Sequence, residues 1–196
     1  MATVYTIGHS THSGEGLAAL LAQHGIDLLC DVRGVPYSRR NPQFNRETLQ
    51  KTLAAAGIDY RFLGDALGAR NAPGEAYDDE GRLSYDRLAR TAPFQAGLQQ
   101  VISEARERRA TIMCAENEPL DCHRTILVAR HLVRAGCGIR HILADGSLEA
   151  HDAAMARLIE RLGLEDTDLF RSREALLEEA YRLRERAMTR PRSANR

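Results

Sequence analysis

The stretch ATIMCAENEPLDCHRTILVARHLVRAG, residues 110–136, decides how the rest of the chain is read. Ala110 to Cys114 is a short apolar run of the kind buried in a sheet, and Thr125 to Ala135 carries helical periodicity up to Gly136. Between them, Cys114 to Arg124 gathers two thiols, carboxylates, an imidazole and a guanidinium. A strand that ends where a helix begins places side chains at the carboxyl edge of a sheet, where open α/β folds bind their ligands.

The same unit recurs on either side. Val4 to Ile7 predicts a strand, followed by the turn-like Gly8-His9-Ser10-Thr11 and a helix with Leu17, Leu20 and Leu21, closed by Gly25. Ile26 to Val32 reads as a strand covered on both faces, and Arg33 to Asn45 as a polar loop. Arg46 to Ala56 is a helix pattern, and Ile58 to Leu63 alternates as a third strand. Gly64 to Gly81 has four glycines and is expected to be a long irregular excursion of the kind that forms binding loops. Helices are expected at 83–91 and 93–109, with Pro93 in a first turn, and a fifth strand at 139–143. The order β-α-β-α-β-α-β-α-β predicts a three-layer α/β fold: a mostly parallel five-stranded sheet with helices on both faces. One domain is expected over 1–188, with the motif-bearing part at 3–145, C-terminal helices over 151–188 packed on the sheet, and a basic tail at 189–196.

The 196 residues are 43% hydrophobic and 28% charged, with 27 basic residues balancing 27 acidic ones, so totals point to neither disorder nor a polyanionic partner. Only Lys51 among the basic residues is lysine, a bias that genome composition accounts for as readily as phosphate recognition. No signal peptide or membrane-spanning run is read from the sequence, and four cysteines at 30, 114, 122 and 137 do not resemble a secreted disulfide scaffold. A cytoplasmic setting is expected, with no membrane partner.

Three segments can carry chemistry, and each follows a strand expected to be parallel to the others. In the first, Asp121 can cap a helix whose first turn contains Cys122, His123 and Arg124, leaving N–H groups for an anion. Cys122 or Cys114 supplies a thiol nucleophile, Glu116 or His9 moves protons, and His123 is a further catalytic candidate that, when protonated, would favour the thiolate. Cys114, Cys122 and His123 also form a candidate metal set, although seven residues separate the cysteines and adjacent Cys122 and His123 would diverge on a helix. Neither cysteine is followed by arginine at the spacing of a phosphatase loop.

The second segment runs from Asp31 to Asn45, where Arg33, Arg39, Arg40 and Arg46 can bind phosphate or carboxylate, Ser38 can hydrogen-bond to it, and Tyr37 and Phe44 can stack on a base. The third is Gly8 to Thr11, with His9 as an acid or base and Ser10 as an anion ligand or cap. Tyr60, Leu63, Gly64 and Gly68 border the excursion and are further candidates for the pocket wall. His12, His24, His131 and His141 are expected to be structural or exposed.

Together, Thr6 to Ser10, Asp31-Val-Arg33 with Pro36 to Ser38, Pro42 and Phe44, Tyr60 with Leu63-Gly64 and Leu67-Gly68, and Cys114-Ala-Glu116 with Pro119 and Cys122-His-Arg124 resemble the domain-of-unknown-function 488 family over about residues 3–145. Where members read LGG, this chain has Leu67-Gly68-Ala69. The resemblance implies a cytoplasmic bacterial α/β protein with its shared residues at one pocket, and brings no activity with it. The residues favour an enzyme acting on a small anionic or nucleotide-like ligand, with Arg33 and Arg124 holding its charge. A nucleic-acid-binding module built on loop 33–46 and a metal-binding protein are the rival readings. Neither the cofactor nor the oligomeric state is specified by the sequence.

Overall fold

The computed structural model describes residues 1–70, 72–164 and 171–189. Its strands are β1 (Thr3–Gly8), β2 (Leu28–Asp31), β3 (Asp59–Phe62), β4 (Ala110–Cys114), β5 (Gly138–Ile142) and β6 (Leu148–Ala150). They form one sheet in the order β3-β2-β4-β1-β5-β6, and all pairings are parallel except that of β5 with β6. The α/β class is as expected, with a sixth, antiparallel strand added to the five anticipated. β6 escapes periodicity because it is three residues long and has no buried position.

Two apolar layers flank the sheet. On one face α1 (Gly14–Gln23) and α2 (Arg46–Ala55) pack Leu17, Leu21, Leu49 and Leu53 against Tyr5, Ile7, Leu29 and Met113. On the other, α5 (Ala92–Glu107) contributes Phe94, Leu98 and Val101 against Val4, Cys30, Ile112 and Cys114. Right-handed crossovers account for the division, because a connection that steps one way along a sheet puts its helix on one face and a step back uses the other. The connections β1-α1-β2 and β2-α2-β3 step toward the β3 edge. The connection through α5 steps back to β4, and the next passes through α6 (Arg130–Arg134) to β5. Adjacent strands β1 and β4 therefore send their following segments to opposite faces, which opens a crevice at their carboxyl ends.

The excursion after β3 is more ordered than its glycines suggest. It holds α3 (Gly64–Leu67) and a 3-10 turn at Gly74–Ala76, and it leads to α4 (Tyr85–Arg90). The helix expected from Thr125 begins at Arg124 as a π-helical turn, Arg124–Ala129, before tightening into α6. The C-terminal helices are α7 (His151–Arg161) and α8 (Arg173–Met188). α7 packs on β5, and α8 lies over α7 and the π-helical turn. Of the basic tail only Thr189 is described, and residues 190–196 lie outside the described residues. No helix among the described residues is long and apolar enough to cross a membrane.

Candidate functional site

β4 delivers Cys114 to the crevice, and the chain then folds back on itself. Glu118 accepts the Leu120 N–H and starts a 3-10 turn at Pro119–Asp121. Cys122 follows in an extended conformation (φ −132°, ψ 142°) and His123 in a helical one (φ −61°, ψ −24°). This break in backbone direction lets two neighbours that would diverge on a regular helix point the same way. The expected cap is corrected: the Asp121 carboxylate accepts from Arg161 and Arg184, at 3.0 and 2.7 Å, and the Cys122 sulfur instead accepts the Arg124 N–H at 3.5 Å. Arg124 itself is wholly buried and donates to the carbonyls of Glu116 (2.5 Å) and Asn117 (2.9 Å). Its charge thus holds the loop from beneath rather than facing the crevice. β1 closes against the same loop at Gly8, where an added Cβ would lie 1.9 Å from the Glu116 carbonyl oxygen.

The result is a four-membered cluster. One carboxylate oxygen of Glu116, Oε2, accepts from the thiols of Cys114 at 3.0 Å and Cys122 at 3.1 Å. His123 Nδ1 lies 3.4 Å from the Cys114 sulfur and 4.0 Å from that of Cys122, and Nε2 lies 3.0 Å from the Val32 carbonyl oxygen. That carbonyl can only accept, so Nε2 carries a proton. Both cysteines are buried, His123 is half-buried, and Glu116 reaches in from an exposed loop. The groups bias one another. The hydrogen bond to Cys122 and burial push the Cys114 thiol up, whereas Cys122 is held well down, its burial outweighed by the bond from Cys114 and the nearby charge of Arg124. Burial and the neighbouring Cys122 raise the Glu116 carboxyl.

Behind the cluster the second and third segments form a buttress. Arg33 is clamped by Asp31, donating from Nε at 2.9 Å and from a terminal nitrogen at 2.6 Å, and it also donates to the Phe44 carbonyl at 2.9 Å. Tyr60 donates to Asp31 at 2.8 Å. His9 donates from Nδ1 to the Ser10 carbonyl, which leaves Nε2 to accept from Arg33 at 3.3 Å. Burial and the adjacent Arg33 charge lower His9 to about 4, so its ring stays neutral. Phe44 stacks on that ring at 4.2 Å and is wholly buried, which corrects the expectation that it presents a face to a ligand.

A cavity of about 390 Å³ opens over this assembly, with Arg33, Cys114, Glu116 and His123 on its wall. Gly34 and Val35 beside Arg33, Ala115 beside Cys114, Ala69, Arg70 and Tyr77 of the excursion, Leu83 just after it, Tyr85 of α4 and the end of α8 complete it. Of the expected residues, His9, Ser10, Asp31, Cys122 and Arg124 lie behind or beside that wall, not on it. So do Tyr60, Leu63, Gly64 and Gly68, although a Cβ on Gly68 would lie 2.4 Å from the Gly64 carbonyl oxygen and 2.7 Å from Gly34 Cα. That close approach is what sets Ala69 and Arg70 at the opening.

Tyr37, Ser38 and Arg39 are elsewhere. Tyr37 is exposed and donates to Glu47, while the Ser38 hydroxyl accepts the Arg40 and Asn41 N–H groups. Arg39 and Arg40 are exposed, whereas Arg46 lies over the Phe62 ring at 5.0 Å. A larger groove of about 920 Å³ adjoins the cavity along α8, but it is walled by ion-paired side chains such as Arg130, Asp86 and Glu178 and reaches neither thiol.

A family model described as "Domain of unknown function DUF488" matches residues 14–131, more than half of the chain. The chain belongs to the DUF488 family. Comparison with curated proteins and with solved structures finds no match. The DUF488 match takes in the clamp at Asp31 and Arg33, the glycine contacts of α3, and the whole cluster from Cys114 to His123, while His9 and Ser10 precede it. The residues that sequence reasoning missed, Arg70, Tyr77, Leu83 and Tyr85, also lie within the DUF488 stretch. Tyr85 had a usable signal, since it opens the helix capped by Ser84, whose hydroxyl accepts the Arg87 N–H. Arg70 had none beyond its place in a glycine-rich excursion.

Proposed function

We propose that the chain is an enzyme that acts on a small anionic or nucleotide-like substrate in the cavity above Cys114. The observation that carries this reading is the lining of one cavity: a thiol, an imidazole and a carboxylate together with two guanidinium groups. Arg33 is neutralised by Asp31, but exposed Arg70 has no ion-pair partner among the described residues and is the cation available to a ligand. Cys114 is the thiol that a substrate meets, and Glu116 and His123 are in reach of its proton. Four free, buried cysteines support a reducing, cytoplasmic setting.

The test is calorimetric titration of the full chain with inorganic phosphate and with nucleoside mono- and diphosphates, repeated with Arg70→Ala. Losing one charge-assisted bond weakens binding by about tenfold. Heat from none of these anions, or equal affinity in the variant, would overturn the reading. Cys114→Ser should keep the binding and abolish turnover of whichever anion is consumed.

A further inference from the structure

We infer that Cys114, Cys122, His123 and Glu116 bind one divalent transition-metal ion of the zinc class at the floor of this cavity. Donors 2.0–2.3 Å from a tetrahedral zinc stand about 3.5 Å from one another. Glu116 lies 3.0 and 3.1 Å from the two sulfurs and His123 3.4 and 4.0 Å from them, so small side-chain adjustments bring the sulfurs and the imidazole into range, with the Glu116 carboxylate facing both sulfurs as the fourth donor. The two sulfurs and Nδ1 all lie within 4.8 Å of one another.

Three further observations point the same way. The His123 Nε2 proton is committed to the Val32 carbonyl, which directs the Nδ1 lone pair at the sulfurs. A backbone carbonyl is one of the common outer partners of a metal-bound imidazole, beside carboxylates and water. The Arg124 N–H meets the Cys122 sulfur at 3.5 Å and so helps to orient it toward the other donors. Buried Arg124 also fixes the loop that carries Glu116, so the donors are positioned before any ion arrives. Two thiolates, an imidazole and one carboxylate select zinc-like ions over magnesium or calcium, which take oxygen donors. Glu116 comes from the exposed side and lines the cavity, so it is the ligand that an incoming anion or water would displace.

The inference rests on the reading of this cavity as the substrate site; with an ion bound, Cys114 would serve as a thiolate ligand, and Glu116 and His123 would hold the ion instead of taking the thiol proton. The experiment is cobalt(II) titration of the full chain, stripped with chelator and kept reduced. The expected result is one equivalent bound, with the intense visible bands of a tetrahedral ion and a near-ultraviolet thiolate-to-cobalt band, both erased by added zinc. Cys122→Ser should reduce the thiolate band to that of one sulfur, and the Cys114→Ser/Cys122→Ser double variant should lose it. Arg70→Ala should leave the spectrum unchanged. A weak octahedral spectrum with no thiolate band in the unsubstituted chain overturns the inference, whatever the variants do. If that happens while anions still bind with Arg70 dependence, the substrate reading survives alone. A stoichiometric thiolate-bound ion in a chain that binds no anion would sink the substrate reading instead.

Discussion

Lowering the pH should destabilise this protein through histidines that burial keeps neutral in the fold, and for two of them the amount follows from that burial. His141 of β5 and His151 of α7 form a chain with Thr6 and Tyr181: Thr6 Oγ1 to His141 Nδ1 is 2.8 Å, His141 Nε2 to His151 Nδ1 is 3.1 Å, and His151 Nε2 to the Tyr181 hydroxyl is 2.7 Å. Each ring donates once and accepts once, which is possible only when both are neutral. Burial lowers His151 from 6.5 to about 4, and burial with the neighbouring His151 and Arg124 charges lowers His141 to about 3. With the folded values depressed, the unfolded chain takes up protons first. Stability is therefore full above about pH 6.5 and is lost as the pH falls from there toward the folded values. At about pH 5 both rings are still neutral in the fold, so the loss depends only on the unfolded value about 1.5 higher. That gives about 2 kcal/mol for each histidine relative to pH 8. The assay is urea unfolding at both pH values for the natural chain and for His151→Gln, whose amide keeps a donor and an acceptor. The pH-dependent loss should shrink by about 2 kcal/mol in the variant. Equal losses in the two proteins would refute the argument.

Gly8→Ala should cost about 1–3 kcal/mol in urea unfolding, because the new methyl carbon meets the Glu116 carbonyl oxygen at 1.9 Å and the loop must move. It should also weaken cobalt binding, and a variant of unchanged stability would show that β1 does not set this loop. Asp31→Asn leaves the buried Arg33 charge without its partner and should cost about 3–5 kcal/mol. Tyr60→Phe removes only one hydrogen bond to the same carboxylate and should cost about 1 kcal/mol. Comparable losses in those two variants would contradict the assignment of Asp31 as the counter-charge.

The repeating strand-helix units were legible because their signals are local. Leu17 and Leu21, Leu49 and Leu53, and the Phe94-Leu98-Val101 stripe are buried as their spacing requires. β6 was not legible, since Leu148-Glu149-Ala150 is held by pairing to β5 and not by an apolar face. At the site, the sequence marked Cys114 to Arg124 but not its internal geometry. Adjacent Cys122 and His123 were expected to diverge, and the change from extended to helical backbone between them is a property of the loop. Arg33 and Arg124 read as anion ligands because guanidinium groups usually are; their burial depends on Asp31, on Phe44 and on two carbonyls of the loop that leads into Arg124. The glycine-rich excursion marked a binding loop, but the packing of Arg70, Tyr77, Tyr85 and Met188 into the cavity's outer wall is long-range and not written in any one segment.

On the function proposed above, ligands enter the hollow where His123 meets the thiols. Ring-nitrogen NMR of histidine-labelled full chain, titrated with inorganic phosphate and a nucleoside monophosphate, tests it most directly. The His123 resonances should shift saturably, while those of His24, whose Nε2 bonds the Gly146 carbonyl at 2.9 Å, stay in place. A silent His123 under saturating anion, or shifts of equal size at His24, would contradict the account.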